Sequence, residues 1–264
     1  MSGSHLYRQL RERDQDRALL SLFAPSDRRA AIWALFLFQN DIARVRETVS
    51  DTHLGLIRLQ WWRDSLTDPP PGHHFLPALA TAIATYNLPI HDFETLLYAR
   101  EFDLSDTRPA HLEGLVNYAD FTNTPLLRLA QQITGEKGND VAQSLGIAYG
   151  LTGIMRAVVA HARQDICLLP QDMLDAAHIT PAAVCTGNAI PALTPVLTVI
   201  GAEAQRQLDL AVGQGCVLPP LLRATHRLVT LYLRQMRRAG FDASDPAYHT
   251  PPRWLALRVT CGLV

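Results

Sequence analysis

The sequence predicts an all-α fold, on three observations. Apolar residues return at spacings of three and four along most of the chain, which places them on one stripe of a helix with 3.6 residues per turn. No segment alternates apolar and polar residues convincingly, as a half-buried strand would. Short proline, glycine and aspartate signals separate the periodic segments, so the breaks read as turns between helices. At 264 residues and 48% hydrophobic content, the chain can fill one continuous core, and residues 1–264 read as a single domain.

Taken in order, Leu19, Leu20, Leu22 and Phe23 open the pattern, and Ile32, Leu35, Phe36, Phe38, Ile42 and Val45 continue it to about Arg46. Pro25 breaks this run. Ser26 followed by Asp27 reads as the N-cap and acidic first turn of the second helix. Further helices are expected over Thr52–Leu66, Leu76–Tyr86, His91–Leu104, Pro109–Tyr118, Pro125–Thr134 and Asp140–Ala162. Beyond Pro170 the pattern weakens, but Leu193–Val212, Pro219–Arg238 and Arg253–Val264 still read as helices. The stretches Thr67–His74, with Pro69, Pro70, Pro71 and Gly72, and Gly187–Pro195 read as loops too short to need a domain boundary. Neither a fixed-period repeat nor a low-complexity block is visible, which disfavours a solenoid.

Charge and cysteine usage narrow the function. Lys and Arg number 24 against 25 Asp and Glu, a formal net charge of -1, so the global basic excess that draws proteins to nucleic acid is missing. Cys167, Cys185, Cys216 and Cys261 are scattered without CxxC spacing, which fits a reducing cytoplasm. The start, Met1–Arg17, mixes basic and acidic residues. It lacks the 7–15-residue apolar stretch of a secretory signal, and it does not read as a transit peptide. Apolar stretches are interrupted well before the roughly 20 residues that cross a bilayer, so a soluble or peripheral protein is expected. The pair His73-His74 has no further ligand spacing around it, which disfavours zinc. Arg223, His226, Arg227, Arg234, Arg237 and Arg238 form a basic band that reads first as a solvated helix face and second as a contact for anionic lipid. Trp61 and Trp62 are adjacent, point to different sides of their helix, and read as packing.

Two segments carry a more specific signal. One runs from Leu22-Phe23-Ala24-Pro25 through Ala34-Leu35-Phe36-Leu37-Phe38 to Arg58-Leu59-Gln60-Trp61-Trp62-Arg63. The other runs from Leu145-Gly146-Ile147-Ala148-Tyr149-Gly150-Leu151-Thr152 to Leu169-Pro170. Together they resemble the squalene/phytoene synthase family, most clearly over residues 19–174. The resemblance implies a single-domain, isoprenoid-synthase-type helical bundle around a central apolar cavity. It also implies two aspartate-rich helices facing that cavity, whose carboxylates hold Mg²⁺ on a leaving diphosphate. Carboxylates at i and i+4 lie about 6 Å apart on one face and suit that ion.

Laid on the family pattern, those positions hold other residues. The first helix has Ala43, Arg44 and Glu47, and the second has Gly153, Ala157, Ala160 and His161. Arg156 and Arg163 remain from the family's basic stretch, while Gln164, Ile166 and Leu168 replace positions that are usually Arg, Arg and Tyr. Asp41 does not restore a ligand, because six residues before Glu47 is roughly 600° of turn and leaves the two about 120° apart. The same replacements, with Val49-Ser50, the Gly55–Gln60 approach to Trp61, Ala99-Arg100-Glu101, Tyr118 and Asn123-Thr124, resemble a non-catalytic branch of the family, mitochondrial complex I assembly factors with a phytoene synthase domain.

That branch implies no catalytic residues, no metal ligands and no cofactor, with complex I subunits or assembly intermediates as partners and room for a prenyl or other lipid. With no transit peptide read, the chain is expected to be a bacterial relative in the cytoplasm, with peripheral contact at the inner membrane left open. The alternative is an active head-to-head prenyltransferase using prenyl diphosphates and Mg²⁺. Arg156, Arg163, Tyr118 and Asn123 are candidate ligand-binding residues, although the two arginines read equally well as structural ion pairs. Glu47 is expected either to meet His161 across the former metal site or to stay solvated beside Arg44 or Arg46, and His161 can equally be a structural histidine.

Overall fold

The computed structural model describes residues 3–49, 51–105, 107–136, 141–213 and 217–263. Ser50, Asp140, Cys216 and Val264, named above, lie outside them. Among the described residues there is no strand, and the order is α1 (Gly3–Arg13), α2 (Gln15–Ser21), α3 (Arg29–Ala43), α4 (Thr52–Thr67), α5 (Leu76–Tyr86), α6 (Ile90–Leu104), α7 (Leu112–Thr134), α8 (Val141–Ala162), α9 (Gln171–Ala176), α10 (Pro181–Cys185), α11 (Thr194–Val212), α12 (Pro220–Arg238), α13 (Pro246–His249) and α14 (Leu255–Cys261). Short 3₁₀ turns occupy Arg46–Thr48 and Ile190–Leu193. The chain forms two compact units. The first takes residues 1–107, 125–139 and 219–221, and the second takes 108–124, 140–218 and 222–264.

In the first unit α3 is the apolar centre. Ile32, Leu35, Phe36, Leu37, Phe38 and Ile42 are fully or almost fully buried, each worth about 1.5–3 kcal/mol relative to exposure as an upper estimate. Phe38 meets the ring edges of Trp62 and Phe93 at 5.7 and 5.5 Å, and Trp62 stacks on Phe75 at 6.0 Å. Trp62 is therefore the packing member of its pair, and Trp61 is partly exposed. Leu6 and Leu10, one turn apart, bury an otherwise charged α1, and Tyr7 lies 5.4 Å from Trp33. The sequence pattern does not suggest this helix, because two leucines among arginines carry little periodicity.

The Ser26 cap is not used. Helix α3 starts at Arg29, with Arg28 at the N-cap position and no side-chain cap bond. The Arg28 N–H instead closes a turn on the Pro25 carbonyl at 2.9 Å, and its guanidinium donates to the Ile133 carbonyl at 3.0 Å. A long-range anchor thus fixes the helix start in place of a local hydroxyl. Asp14 and Asp51 do cap α2 and α4, accepting from the N–H groups of Arg17 and Leu54, as N-cap carboxylates should. Asn87 ends α5 in the left-handed region, which asparagine tolerates.

The two helices expected on either side of Pro125 are one helix, α7, with Pro125 inside it. Proline removes a helical N–H and crowds the preceding turn. It leaves the Phe121 carbonyl without its helical N–H, while one turn earlier Thr122 Oγ1 donates to the Tyr118 carbonyl at 2.7 Å and Asn123 Nδ2 to the Ala119 carbonyl at 3.2 Å. The helix continues through Pro125 nonetheless.

In the second unit α8 is the core helix. By length and composition it could cross a membrane, but most of it is buried inside the protein. Its glycines let α7 approach. A Cβ on Gly146 would lie 2.9 Å from both the backbone N and Cα of Thr124. On Gly150 it would lie 2.6 Å from Asn123 Nδ2 and 2.8 Å from the Ala119 Cβ. Gly153 has nothing within 4 Å. Gly146→Ala should therefore lower unfolding free energy by about 1–3 kcal/mol through overpacking, whereas Gly153→Ala should raise it by about 0.5–1 kcal/mol through helix propensity. Urea denaturation of the two variants checks this, and equal effects would contradict the assigned packing.

Candidate functional site

Helix α3 ends at Ala43, which is half-buried, and the chain then tightens. The N–H groups of Arg44 and Val45 bond back to Asp41 and Ile42, Val45 turns into the core, and Arg46 reaches the Asp103 carbonyl at 2.6 Å. These anchors, with β-branched Val45, Thr48 and Val49, turn Arg46–Thr48 into a 3₁₀ segment. Glu47 is thus not one α-helical turn beyond Ala43 on a continuous helix, and the i,i+4 relation expected from the family pattern fails here. Its carboxylate is exposed and accepts from Arg44 Nε at 3.3 Å. This is the solvated pairing that the sequence left as one of two readings.

Asp41 is also committed. Its carboxylate accepts from Arg13 Nη1 at 2.5 Å, from the last turn of α1. Burial pushes the Asp41 carboxyl above its ordinary 3.8, while Arg13, His74, Arg44 and Arg58 pull it down. His73 and His74 sit beside this pair in the loop before α5. Burial lowers both imidazoles, and His73 Nδ1 accepts from the Leu76 N–H at 3.3 Å at the start of α5. Histidine 73 thus acts as a cap to the helix that follows it.

Over its last four turns α8 keeps some exposure at Tyr149, Gly153, Arg156, Ala157, Ala160 and His161, which repeat at three and four along one stripe, and at Val159. Arg156 lies over the Tyr232 ring, Cζ to centroid 3.5 Å, a close cation–π contact. Its carbonyl is 3.1 Å from His249 Nδ1, whose Nε2 is 2.6 Å from the Ala243 carbonyl. Arg156 is thereby fixed against α12 and next to α13. Arg163 lies past the helix end and is exposed. Asn123 is buried and donates to the Ala119 carbonyl and to Thr122 Oγ1, so it seats Gly150. Tyr118 is half-buried on the same helix. Arg13, Tyr232 and His249 are the partners that sequence reading missed, since nothing local marks a residue whose role comes from a distant element.

Mg²⁺ takes carboxylate oxygens. Helix α8 contains neither Asp nor Glu, and both acids near the end of α3 are paired to arginines. Among the described residues no three His, Cys, Asp or Glu side chains gather where they could hold a metal ion.

A sequence profile of squalene/phytoene synthases matches residues 10–256. The chain belongs to the squalene/phytoene synthase family. Within this family it is 28% identical over 248 residues to complex I assembly factor 6 of Homo sapiens, covering 90% of this chain and 74% of that protein. It is 27% identical over 180 residues to the chloroplastic phytoene synthase of Daucus carota, covering 64% and 45%. The squalene synthase HpnC of Alicyclobacillus acidocaldarius has the same fold, with a TM-score of 0.75 at 21% identity over 91% of this chain and 94% of that one. A dehydrosqualene synthase superposes with a TM-score of 0.74 at 14% identity, over 99% and 96%.

The Arg13–Asp41 pair gives a sharp expectation. Arg13→Ala leaves a half-buried carboxylate without its nearest cation and should cost about 1–3 kcal/mol at neutral pH, between the values for exposed and buried pairs. An Asp whose folded pKa is raised stabilises the fold fully below 3.8, and that stability is lost as pH rises through the raised value. Removing Arg13 raises it further, so the variant's deficit should shrink in acid and grow toward neutrality. Urea midpoints at acid and neutral pH test this, and a deficit independent of pH would contradict the pairing.

Proposed function

We propose that the chain is a non-catalytic member of the squalene/phytoene synthase family that acts by binding, in the assembly of respiratory complex I. The observation that carries this reading is the carboxylate-free α8. In the family register its positions 153, 157, 160 and 161 hold glycine, alanine, alanine and histidine. A Mg²⁺-bridged diphosphate needs anionic oxygens from this helix, and Gly153 and Ala157 supply neither charge nor reach. The carboxylates left at the end of α3 are neutralised by Arg13 and Arg44.

The pattern of likeness supports the assembly role. Similarity to the human assembly factor extends over 90% of the chain, and to the Mus musculus protein of the same name over 93%. Similarity to the carrot phytoene synthase extends over 64%. A partner therefore takes the place of a substrate, and the chain works in a bacterial cytoplasm with access to the membrane where complex I is built. Loss of catalysis at α8 and retention of the scaffold are consistent with one another, because the packing of Gly146 and Gly150 does not depend on a metal.

Incubation with farnesyl or geranylgeranyl diphosphate and Mg²⁺ should yield no squalene, phytoene or cyclopropyl intermediate above background. Deleting the gene in its host should lower the amount of fully assembled complex I on native gels, with smaller intermediates accumulating. Product formation would overturn the non-catalytic reading, and normal complex I in the deletion strain would overturn the assembly role.

A further inference from the structure

We propose that the outer face of α14, with the basic stripe of α12 beside it, is a docking surface for an anionic lipid bilayer. The proposal stands on the second unit alone and does not rest on the assembly role. Helix α14 turns Val259 fully inward and half-buries Leu255 and Arg258. Its other side presents Trp254, Leu257 and Cys261 at i, i+3 and i+7, followed by Leu263. Trp254 is 74% exposed, Leu257 53% and Leu263 60%. In a water-soluble surface helix these positions would be polar.

The face is held rigidly. Arg227 Nη1 donates to the carbonyls of Val259 at 2.9 Å and Thr260 at 3.2 Å, tying the last turn of α14 to α12. Arg258 Nε bonds the Leu263 carbonyl at 3.0 Å. Gly262 takes a positive φ of 73°, and a Cβ there would come within 2.7 Å of Arg227 Nη2. Trp254 itself sits in the left-handed region, φ 58°, which is uncommon for a bulky residue and persists only where surrounding contacts enforce it. The fold thus holds a tryptophan in a strained backbone conformation with its side chain in solvent.

Charge identifies what would cover this face. Arg223, Arg227, Arg234 and Arg238 follow one stripe of α12, with Arg253 exposed just before α14. From residue 217 to the last, the sequence has seven arginines and two acids, in a chain whose net charge is -1. Both acids are occupied locally: Asp242 accepts from the N–H and Oγ of Ser244, and Asp245 from the Ala247 N–H. A tryptophan and leucines flanked by arginines suit a headgroup boundary, where the indole and the aliphatic stems sit at the interface and the guanidinium groups pair with phosphates. One seven-residue helix is too small for a stable protein interface, which needs about 800 Å² from each partner. It is large enough for reversible anchoring assisted by electrostatics.

The test is co-sedimentation of the full chain with vesicles of phosphatidylcholine alone and of phosphatidylcholine mixed with phosphatidylglycerol. Binding should appear on the anionic vesicles and weaken as salt rises. It should fall about fivefold for each of Arg234→Gln and Arg253→Gln, and by at least about tenfold in Trp254→Ser with Leu257→Glu. These side chains are exposed, and an unchanged urea midpoint verifies folding of each variant. Tryptophan emission should shift to the blue on anionic vesicles in the native chain and not in Trp254→Phe. Failure to bind anionic vesicles, or binding undiminished in the double variant, overturns the proposal. So does a dimer on size-exclusion chromatography that Leu257→Glu dissolves, which would assign the face to a second copy.

Discussion

The close approach of α8 to α7 is the constraint on which the second unit depends. With hydrogen in place of a side chain at Gly146 and Gly150, the backbone of Thr124 and the side chains of Ala119 and Asn123 come into contact with α8, and the apolar positions of α8 are buried in register behind that contact. Once that rotation is fixed, Tyr149, Gly153, Arg156, Ala157, Ala160 and His161 fall on the remaining, partly exposed stripe. It carries small residues and an arginine stacked on Tyr232.

The first unit solves a different problem. Helix α3 is apolar over most of its length but ends in a charged stretch, and each charge there meets a partner within the same unit: Asp41 with Arg13, Arg44 with Glu47, and Arg46 with the Asp103 carbonyl. Half-burying a carboxylate raises its pKa unless cations are near, and four basic residues lie near enough to oppose that rise. The charges at the end of α3 are therefore balanced within the unit.

The helices with a strong periodic face were legible in the sequence. Leu76–Tyr86 begins and ends where the sequence reading places it, and Thr52–Thr67 and Thr194–Val212 differ from expectation by one residue at one end. The features that were not legible include three, in the last two of which a distant contact outweighs a local rule. Pro125 interrupts the pattern but not the helix, which continues through it. Ser26 has the chemistry of a cap, but Arg28 bonding Ile133 sets the start of α3. Glu47 reads as helical by extension from Ala43, but burial of Val45 and the reach of Arg46 wind that segment into a 3₁₀ turn. In the candidate site the residue types were plain from the sequence, and their partners were not. Arg156 had equal claims to an ion pair and a phosphate, and the contact it makes with Tyr232 is one that no spacing rule foretells across 76 positions of separation.

The scaffold superposes on squalene and dehydrosqualene synthases, while α8 contains neither Asp nor Glu. The most direct measurement is calorimetric titration of Mg²⁺ into the protein together with a non-reactive farnesyl thiodiphosphate. The account predicts no Mg²⁺-dependent heat of binding at concentrations that saturate an active synthase run alongside. Tight, Mg²⁺-dependent binding of the analogue would contradict it.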